Sequence, residues 1–421
     1  MTENLSITST SSKFPISPLA PNSFPVMPEI KGVDLFSFAS GIKVSGKLDL
    51  LVVTMPNNTS VAGVFTNSYT ASSNVEHCRS ILPYGKAKVL VVNSGNANVA
   101  VGANGYEVIT EITKLCAEKF SCSIEEVYFC STGVIGIPLP VDKIKSVLLN
   151  FTSKIYGNSW NNAARAIMTT DTFPKMVTKE VLIDGKKVIL NGICKGSGMI
   201  APNMATMLAY VFTDANIRSD VLQKLLKQYV DISFNSITVD GDTSTSDSVL
   251  LFATNLADHK QVCCIDDKSI DNFKVALREM LIEMAHLIVK DGEGASKFIT
   301  IDIKNAISLE SARKLAFSIA NSPLVKTAIA GGDANWGRII MAIGKAGEPL
   351  NKNKISIKIG DNVIVKNGEI TPSYVKDSVD KYMKGKDIYI QVDINNGDSE
   401  VTVWTCDLTN QFVNINSKYL T

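Results

Sequence analysis

The chain has 421 residues, 45% of them hydrophobic and 20% charged, and its 42 basic against 41 acidic side chains leave a formal net charge of +1. That length exceeds what one core usually serves, so two intimately packed domains are expected. The near-neutral balance argues against nucleic acid or an anionic membrane surface as a partner. No run of about eighteen apolar residues offers a membrane span.

Residues 1–31 are rich in Ser, Thr, Pro and Asn, and hold neither arginine nor a basic segment followed by an apolar run. They read as a disordered or loosely packed leader rather than a secretion signal, which makes the cytoplasm the expected location. The first clear strand covers 88–93 and runs into Asn93, Ser94, Gly95, Asn96, Ala97 and Asn98. The spacing of Val108, Ile109, Ile112, Leu115 and Cys116 predicts a helix over 106–120, and similar patterns predict helices over 141–155, 219–232, 271–289 and 309–321. Ser219 with Asp220, and Asp271 with Asn272, supply the side-chain oxygens expected to cap two of these.

Strands are predicted over 206–212, 249–253, 299–303, 355–359, 388–392 and 400–405. Gly-Asp and Asn-Gly-Asp turns near the last three suggest antiparallel hairpins. The expected fold class is mixed α/β, a layered helix-sheet sandwich.

The eight cysteines, at 78, 116, 122, 130, 194, 263, 264 and 406, form no Cys-x-x-Cys pair and no metal spacing with histidine, so they read as buried thiols of a reducing compartment. His77, His259 and His286 stand in no motif with a hydroxyl, thiol or carboxylate, which disfavours a Ser-His-Asp triad and a zinc site. Residues 240–247 alternate oxygen-bearing side chains, but the glycine falls at the second position and no glutamate follows at the EF-hand distance. No metal is expected.

Glycine and small polar residues gather in six patches: 93–98, 131–136, 195–198, 239–245, 291–294 and 331–338. Within 195–208 a small residue, Ala205, meets a hydroxyl residue, Thr206. Two readings stand open here: a glycine-rich loop entering an apolar strand, or a peptide bond built to break. Cleavage would leave Thr206 with a nucleophilic hydroxyl and an amine whose unperturbed pKa is about 7.7–8.0, near enough to neutrality to serve as its general base. Thr132 and Gly133 suit an oxyanion site, since glycine lets a backbone amide approach closely. Their alternative is a plain loop between the buried strand 127–130 and Pro138.

The chain resembles the ornithine acetyltransferase family of arginine biosynthesis, threonine-nucleophile enzymes that recycle an acetyl group from N-acetylornithine to glutamate. The resemblance runs over about residues 32–421, on motifs at 63–66, 93–98, 131–136, 168–175, 195–208, 234–245, 290–297, 335–338 and 413–421. It implies self-cleavage between Ala205 and Thr206 into an α chain, 32–205 after the leader, and a β chain, 206–421, assembled as α2β2. It further implies Thr206 as nucleophile, Thr132 and Gly133 as oxyanion hole, and Thr172, Lys195, Thr206, Glu293, Asn416 and Thr421 as substrate-binding positions. Lys195 would meet the substrate carboxylate and Glu293 the ornithine ammonium.

No metal or organic cofactor is implied, and a second activity with acetyl-CoA rests on the resemblance alone. Ser246, where the family often has asparagine, and Val99, Ala100 and Val101, in place of a common Ala-Cys-Thr run, depart from the pattern. The competing readings are an N-terminal-nucleophile amidohydrolase or aminopeptidase on the same scaffold, and an uncleaved, non-catalytic binding protein.

Overall fold

The computed structural model describes residues 2–3, 15–43, 46–151, 159–201 and 207–417. A short pair, β1 (Thr2–Glu3) with β2 (Phe24–Pro25), precedes the larger sheet. That sheet comprises β3 (Asp34–Phe38), β4 (Leu50–Phe65), β5 (Lys86–Asn96), β6 (Val127–Val134), β7 (Lys175–Ile183), β8 (Lys186–Lys195), β9 (Leu208–Thr213) and β10 (Ser248–Ala253). Their order is β6-β5-β4-β10-β9-β8-β7, with β3 against β4. Strands from both sides of residues 205–206 therefore lie side by side, β9 antiparallel to β8.

Both faces of this sheet are buried, and strict alternation divides the side chains between them. On β4, Leu51, Val53, Val61 and Phe65 enter one core, while Leu50, Val52 and Ala62 face the other way. The first core is closed by α1 (Ser73–Ile81) and α4 (Trp160–Ile167). The opposite face is covered by α2 (Ala103–Phe120) and α3 (Val141–Asn150) over one half, and by α5 (Ser219–Asp231) and α6 (Asp271–Lys290) over the other. Strands buried on two faces read as continuous apolar runs, which is why 88–93 and 249–253 stand out in the sequence.

The smaller sheet comprises β11 (Phe298–Ala306), β12 (Ser356–Ile359), β13 (Asn362–Lys366), β14 (Glu369–Ile370), β15 (Asp387–Asp393) and β16 (Ser399–Cys406), ordered β14-β13-β12-β15-β11-β16. It packs on α7 (Leu309–Ala320), α8 (Pro323–Ala330), α9 (Trp336–Gly344) and α10 (Lys376–Met383). The layers meet where His286 of α6 lies edge-on to Trp404 of β16 and to Phe298, at 4.5 and 5.1 Å. The last helix, α11 (Asn410–Asn416), returns to the end of α6. No helix among the described residues is long and apolar enough to cross a membrane.

Several expectations need correction. β15 and β16 do not form a hairpin: β11 lies between them, parallel to β15 and antiparallel to β16, whereas β12–β13 is an antiparallel hairpin turning at Gly360 and Asp361. Ser219 and Asp271 do not cap α5 and α6; each is the first helical residue, where its neighbourhood to the helix N-terminus remains favourable, and Arg218 and Ile270 precede them without a side-chain cap. Residues 15–31 are not loose, since Phe24 and Ile30 are buried in the core and Ser17 is bonded to Thr172. The helix predicted over 141–155 ends at Asn150, with Phe151 already extended, while residues 152–155 and the predicted strand start at 206 lie outside the described residues. All eight cysteines are free thiols, as expected from their spacing, but not all are buried as expected: Cys263 and Cys264 are exposed and Cys122 is half-buried.

Candidate active site

β5 and β6 run parallel, with Ser94 beside Thr132 and Gly95 beside Gly133, and their register breaks at Asn96. Gly133 has a φ of +135°, and a Cβ there would lie 2.4 Å from the Gly95 carbonyl carbon and 2.5 Å from the Asn96 nitrogen. Only glycine fits so close an approach. Buried amides brace this corner: Ser131 Oγ donates to Asn93 Oδ1 at 2.6 Å, Asn93 Nδ2 to the Asn96 carbonyl at 2.9 Å, and Asn98 Nδ2 to Asn74 Oδ1 at 2.9 Å. The 93–98 motif thus holds Thr132 and Gly133 in place.

Lys43 connects this corner to the next loop. Its stem lies against Gly95, where an added Cβ would meet Lys43 Cγ at 3.1 Å. Its ammonium donates to the Leu48 carbonyl at 3.0 Å and the Met168 carbonyl at 2.7 Å. Burial lowers that ammonium to about 8, against the pull of Asp49 and Asp171.

Met168 opens a loop that is folded around a wholly buried cation. Lys175 Nζ bridges Asp171 Oδ1 at 2.5 Å and Asp291 Oδ2 at 2.6 Å, and all three side chains are inaccessible to solvent. Burial works to raise the Asp171 carboxyl, but the Lys175 and Lys195 ammoniums and the Thr169 amide outweigh it and hold the group at about 2. For Asp291 burial prevails, and its carboxyl rises to about 6. Thr172 is fixed by the same ion triad, its amide donating to Asp291 Oδ2 at 2.8 Å and its hydroxyl to Asp291 Oδ1.

Lys195, at the end of β8, is 3% exposed, with its ammonium 3.5 Å from Thr169 Oγ1. Burial lowers its pKa, while Asp171, Asp247 and Glu293 oppose the fall. Glu293 comes from the turn after α6; its amide donates to the Ser197 carbonyl at 3.0 Å, and Asn416 Nδ2 donates to its Oε2 at 2.8 Å. A Cβ on Gly198 would sit 2.6 Å from that carboxylate, so the glycine is what lets Glu293 in. A cavity of about 90 Å³ opens here, lined by Ser17, Thr170, Thr172, Ser197, Glu293 and Gly294 among others. A larger open groove of about 560 Å³ lies between β7 and α6, away from every residue expected to do chemistry.

The structure therefore brings together Thr172, Lys195, Glu293 and Asn416, with Thr132 and Gly133 linked to them through Lys43. Ala205, Thr206 and Thr421 lie outside the described residues. The described ends of the junction are nevertheless gripped by one loop. Asp240 accepts from the amides of Met199 at 2.6 Å and Ile200 at 3.0 Å, and Asp247 Oδ1 accepts from the Met207 amide at 2.8 Å. Met199 is held at a φ of +59°, a left-handed conformation that costs a non-glycine residue about 1–3 kcal/mol. The oxygen-rich run 240–247 is thus a backbone clamp, and among the described residues no cluster of His, Cys, Asp and Glu has the geometry of a metal site.

Lys43, Asp171, Lys175 and Asp291 escaped the sequence reading. Asp171 and Lys175 sit inside the 168–175 motif, but their partner Asp291 is more than a hundred residues away, and only folding reveals the triad. The histidines are elsewhere: His259 Nε2 takes the Asn216 amide at 2.9 Å, His77 Nε2 bonds the Val127 carbonyl at 3.0 Å, and His286 is packed between aromatic rings.

A family model described as the ArgJ family matches residues 34–421. The chain is 47% identical over 407 residues to the arginine biosynthesis bifunctional protein ArgJ of Brucella suis biovar 1, covering 96% of this chain and 98% of that protein. It is 46% identical over 405 residues to the Gluconobacter oxydans protein of the same name, covering 96% and 95%. The crystal structure of the Bacillus halodurans arginine biosynthesis bifunctional protein ArgJ is 40% identical and covers 50% of this chain and 98% of that one, with a TM-score of 0.48. Ornithine acetyltransferase of Mycobacterium tuberculosis, complexed with ornithine, is 30% identical and covers 41% and 92%, with a TM-score of 0.35. Similarity at this level along nearly the whole length means that the chain belongs to the ArgJ family of arginine-biosynthesis acetyltransferases.

Proposed function

We propose that the chain cuts itself between Ala205 and Thr206 and that Thr206 then carries an acetyl group from N2-acetylornithine to glutamate, giving ornithine and N-acetylglutamate. The observation that carries this reading is the pair of opposite charges, Lys195 and Glu293, both buried and close enough to interact, with Thr172 lining the cavity beside Glu293 and Asn416 donating to its carboxylate. An acetylated amino acid with a distal ammonium presents one carboxylate and one cation. Lys195 matches the first and Glu293 the second, each in a setting where a charge-assisted bond is strong.

In this scheme the Thr206 hydroxyl attacks the acetyl carbonyl while its own amine takes the hydroxyl proton. The negative oxygen that forms is held by the Gly133 amide and Thr132, and collapse of the intermediate expels ornithine with that proton. Glutamate's amine then attacks the acetyl-threonine ester and restores the free hydroxyl. Every group needed is a side chain, a backbone donor or the Thr206 amine. The resemblance extends the proposal to an α2β2 assembly in the cytoplasm, to substrate contacts by Thr421, and to glutamate acetylation from acetyl-CoA.

Incubation of the enzyme with acetylornithine and glutamate tests the reading. Acetylglutamate is the expected product; acetate alone would identify a hydrolase on this scaffold. Glu293→Gln is expected to raise KM for acetylornithine about 10- to 100-fold, the range of a charge-assisted bond worth about 1.5–3 kcal/mol. Unchanged discrimination against acetylated amino acids without a side-chain amine would contradict the role given to Glu293.

A further inference from the structure

Pro15, Ile16, Ser17 and Pro18 line the cavity beside Thr172 and Glu293, together with Gln411 and Ile415 of α11. Pro15 and Pro18 are exposed, Ile16 is half-buried and Ser17 is buried. The segment is therefore a strap with water on one side and the cavity on the other. Each proline fixes its own φ, and Ser17, standing before Pro18, is confined to extended backbone. A strap so restricted keeps its shape at small entropic cost.

Ser17 fastens it. Its amide donates to Thr172 Oγ1 at 2.9 Å, and its hydroxyl donates to the Lys290 carbonyl at 2.6 Å. Thr172 is bonded in turn to Asp291, and Lys290 is the last residue of α6, whose following turn carries Glu293. Ser17 thus ties together the two segments that bring Thr172 and Glu293 to the cavity. The strap is held again at Pro18, whose carbonyl accepts from the Lys386 ammonium at 2.6 Å. Ile16 and Leu19 pack against the cores on the two faces of the larger sheet.

We propose that residues 15–18 are the specificity wall of the substrate site and limit the acetylated amino acid to a side chain about as long as that of ornithine. The proposal rests on the reading that Glu293 takes the side-chain ammonium. The cavity of about 90 Å³ equals the volume of about three liquid waters, which suits a short chain ending in an ammonium. A chain longer by one methylene has to push the strap outward, against the bonds of Ser17 and Pro18. Ser17 is in this sense a positioning residue, and Ile16 with its neighbours is the surface that the substrate meets.

The test compares kcat/KM for N2-acetylornithine and N2-acetyllysine, with glutamate as acceptor, in full-length wild type, Ser17→Ala and Ile16→Ala. Wild type is expected to prefer acetylornithine by about 10- to 200-fold, the worth of one methylene in a fitted pocket. Ser17→Ala loses the bond to Lys290 and is expected to narrow that preference about 2- to 10-fold, the range of one neutral hydrogen bond. Ile16→Ala withdraws three carbons from the wall and is expected to narrow it at least about 10-fold. A merely structural role would lower both substrates alike and leave the ratio unchanged. A wild type without the preference, or two variants that keep it in full, overturns the proposal. Should one variant fail to fold, judged by its melting transition, the other decides. The reading of Glu293 fails separately, through a Glu293→Gln enzyme that still rejects acetylated amino acids without a side-chain amine, whereas the strap is judged on two substrates that both carry the ammonium.

Discussion

Lys175→Met is expected to lower unfolding free energy by about 3–5 kcal/mol, because it leaves the buried carboxylates of Asp171 and Asp291 facing each other without their cation. Methionine fills much the same space, so the loss comes from charge rather than from a cavity. Denaturant unfolding at several pH values isolates that cause. In the wild type, the Asp171 carboxyl is held down at about 2, so its contribution is complete above the ordinary value of 3.8 and is lost as pH falls through about 2. In the variant both carboxyls rise above their unfolded values. Each then favours folding when protonated and loses that contribution as pH rises, so the deficit should grow from about pH 4 to about pH 7. A deficit independent of pH would show that packing, not charge, holds the loop.

Gly133→Ala is expected to cut kcat for acetyl transfer by about 10²–10³, the loss that accompanies one oxyanion donor, or about 2.7–4 kcal/mol. The added methyl would stand 2.4 Å from backbone carbon and 2.5 Å from backbone nitrogen, on a residue whose φ of +135° disfavours any side chain. Something must shift, and the Gly133 amide shifts with it. The substrate contacts proposed for Lys195 and Glu293 lie on other elements, so KM should change far less than kcat. Full kcat in the variant would remove Gly133 from the chemistry.

How much of this was legible in sequence depends on how local each signal is. The helices at 103–120, 219–231, 271–290 and 309–320 declare themselves because one apolar stripe repeats within a single segment. The placement of β11 between β15 and β16 does not, since a turn signal between two strands says nothing about a third strand from ninety residues away entering the gap. The cap assignments failed for a smaller reason: an aspartate at a helix start serves about as well in the first turn as before it.

The site divides the same way. Thr132, Gly133, Lys195 and Glu293 lie in compact motifs with unusual glycines, and those glycines turn out to be the places where backbone or carboxylate must come close. Lys175, Asp171 and Asp291 are ordinary charged residues until folding buries them together. Lys43 is likewise an unremarked lysine of a surface-like stretch, and its two carbonyl partners come from Leu48 and the distant Met168. Charge networks assembled from distant segments have no sequence period, so sequence reading finds the neighbourhood of the proposed nucleophile and misses what holds it.

Intact mass of purified wild type beside Thr206→Ala, each with and without acetylornithine, decides whether Thr206 becomes an amino terminus and carries the acetyl group. The expected result is a wild-type β chain that begins at Thr206 and gains one acetyl group on that residue, and a variant that stays one chain and gains none. An uncut wild-type chain that still transfers acetyl, or an acetyl group found on another residue, would contradict it.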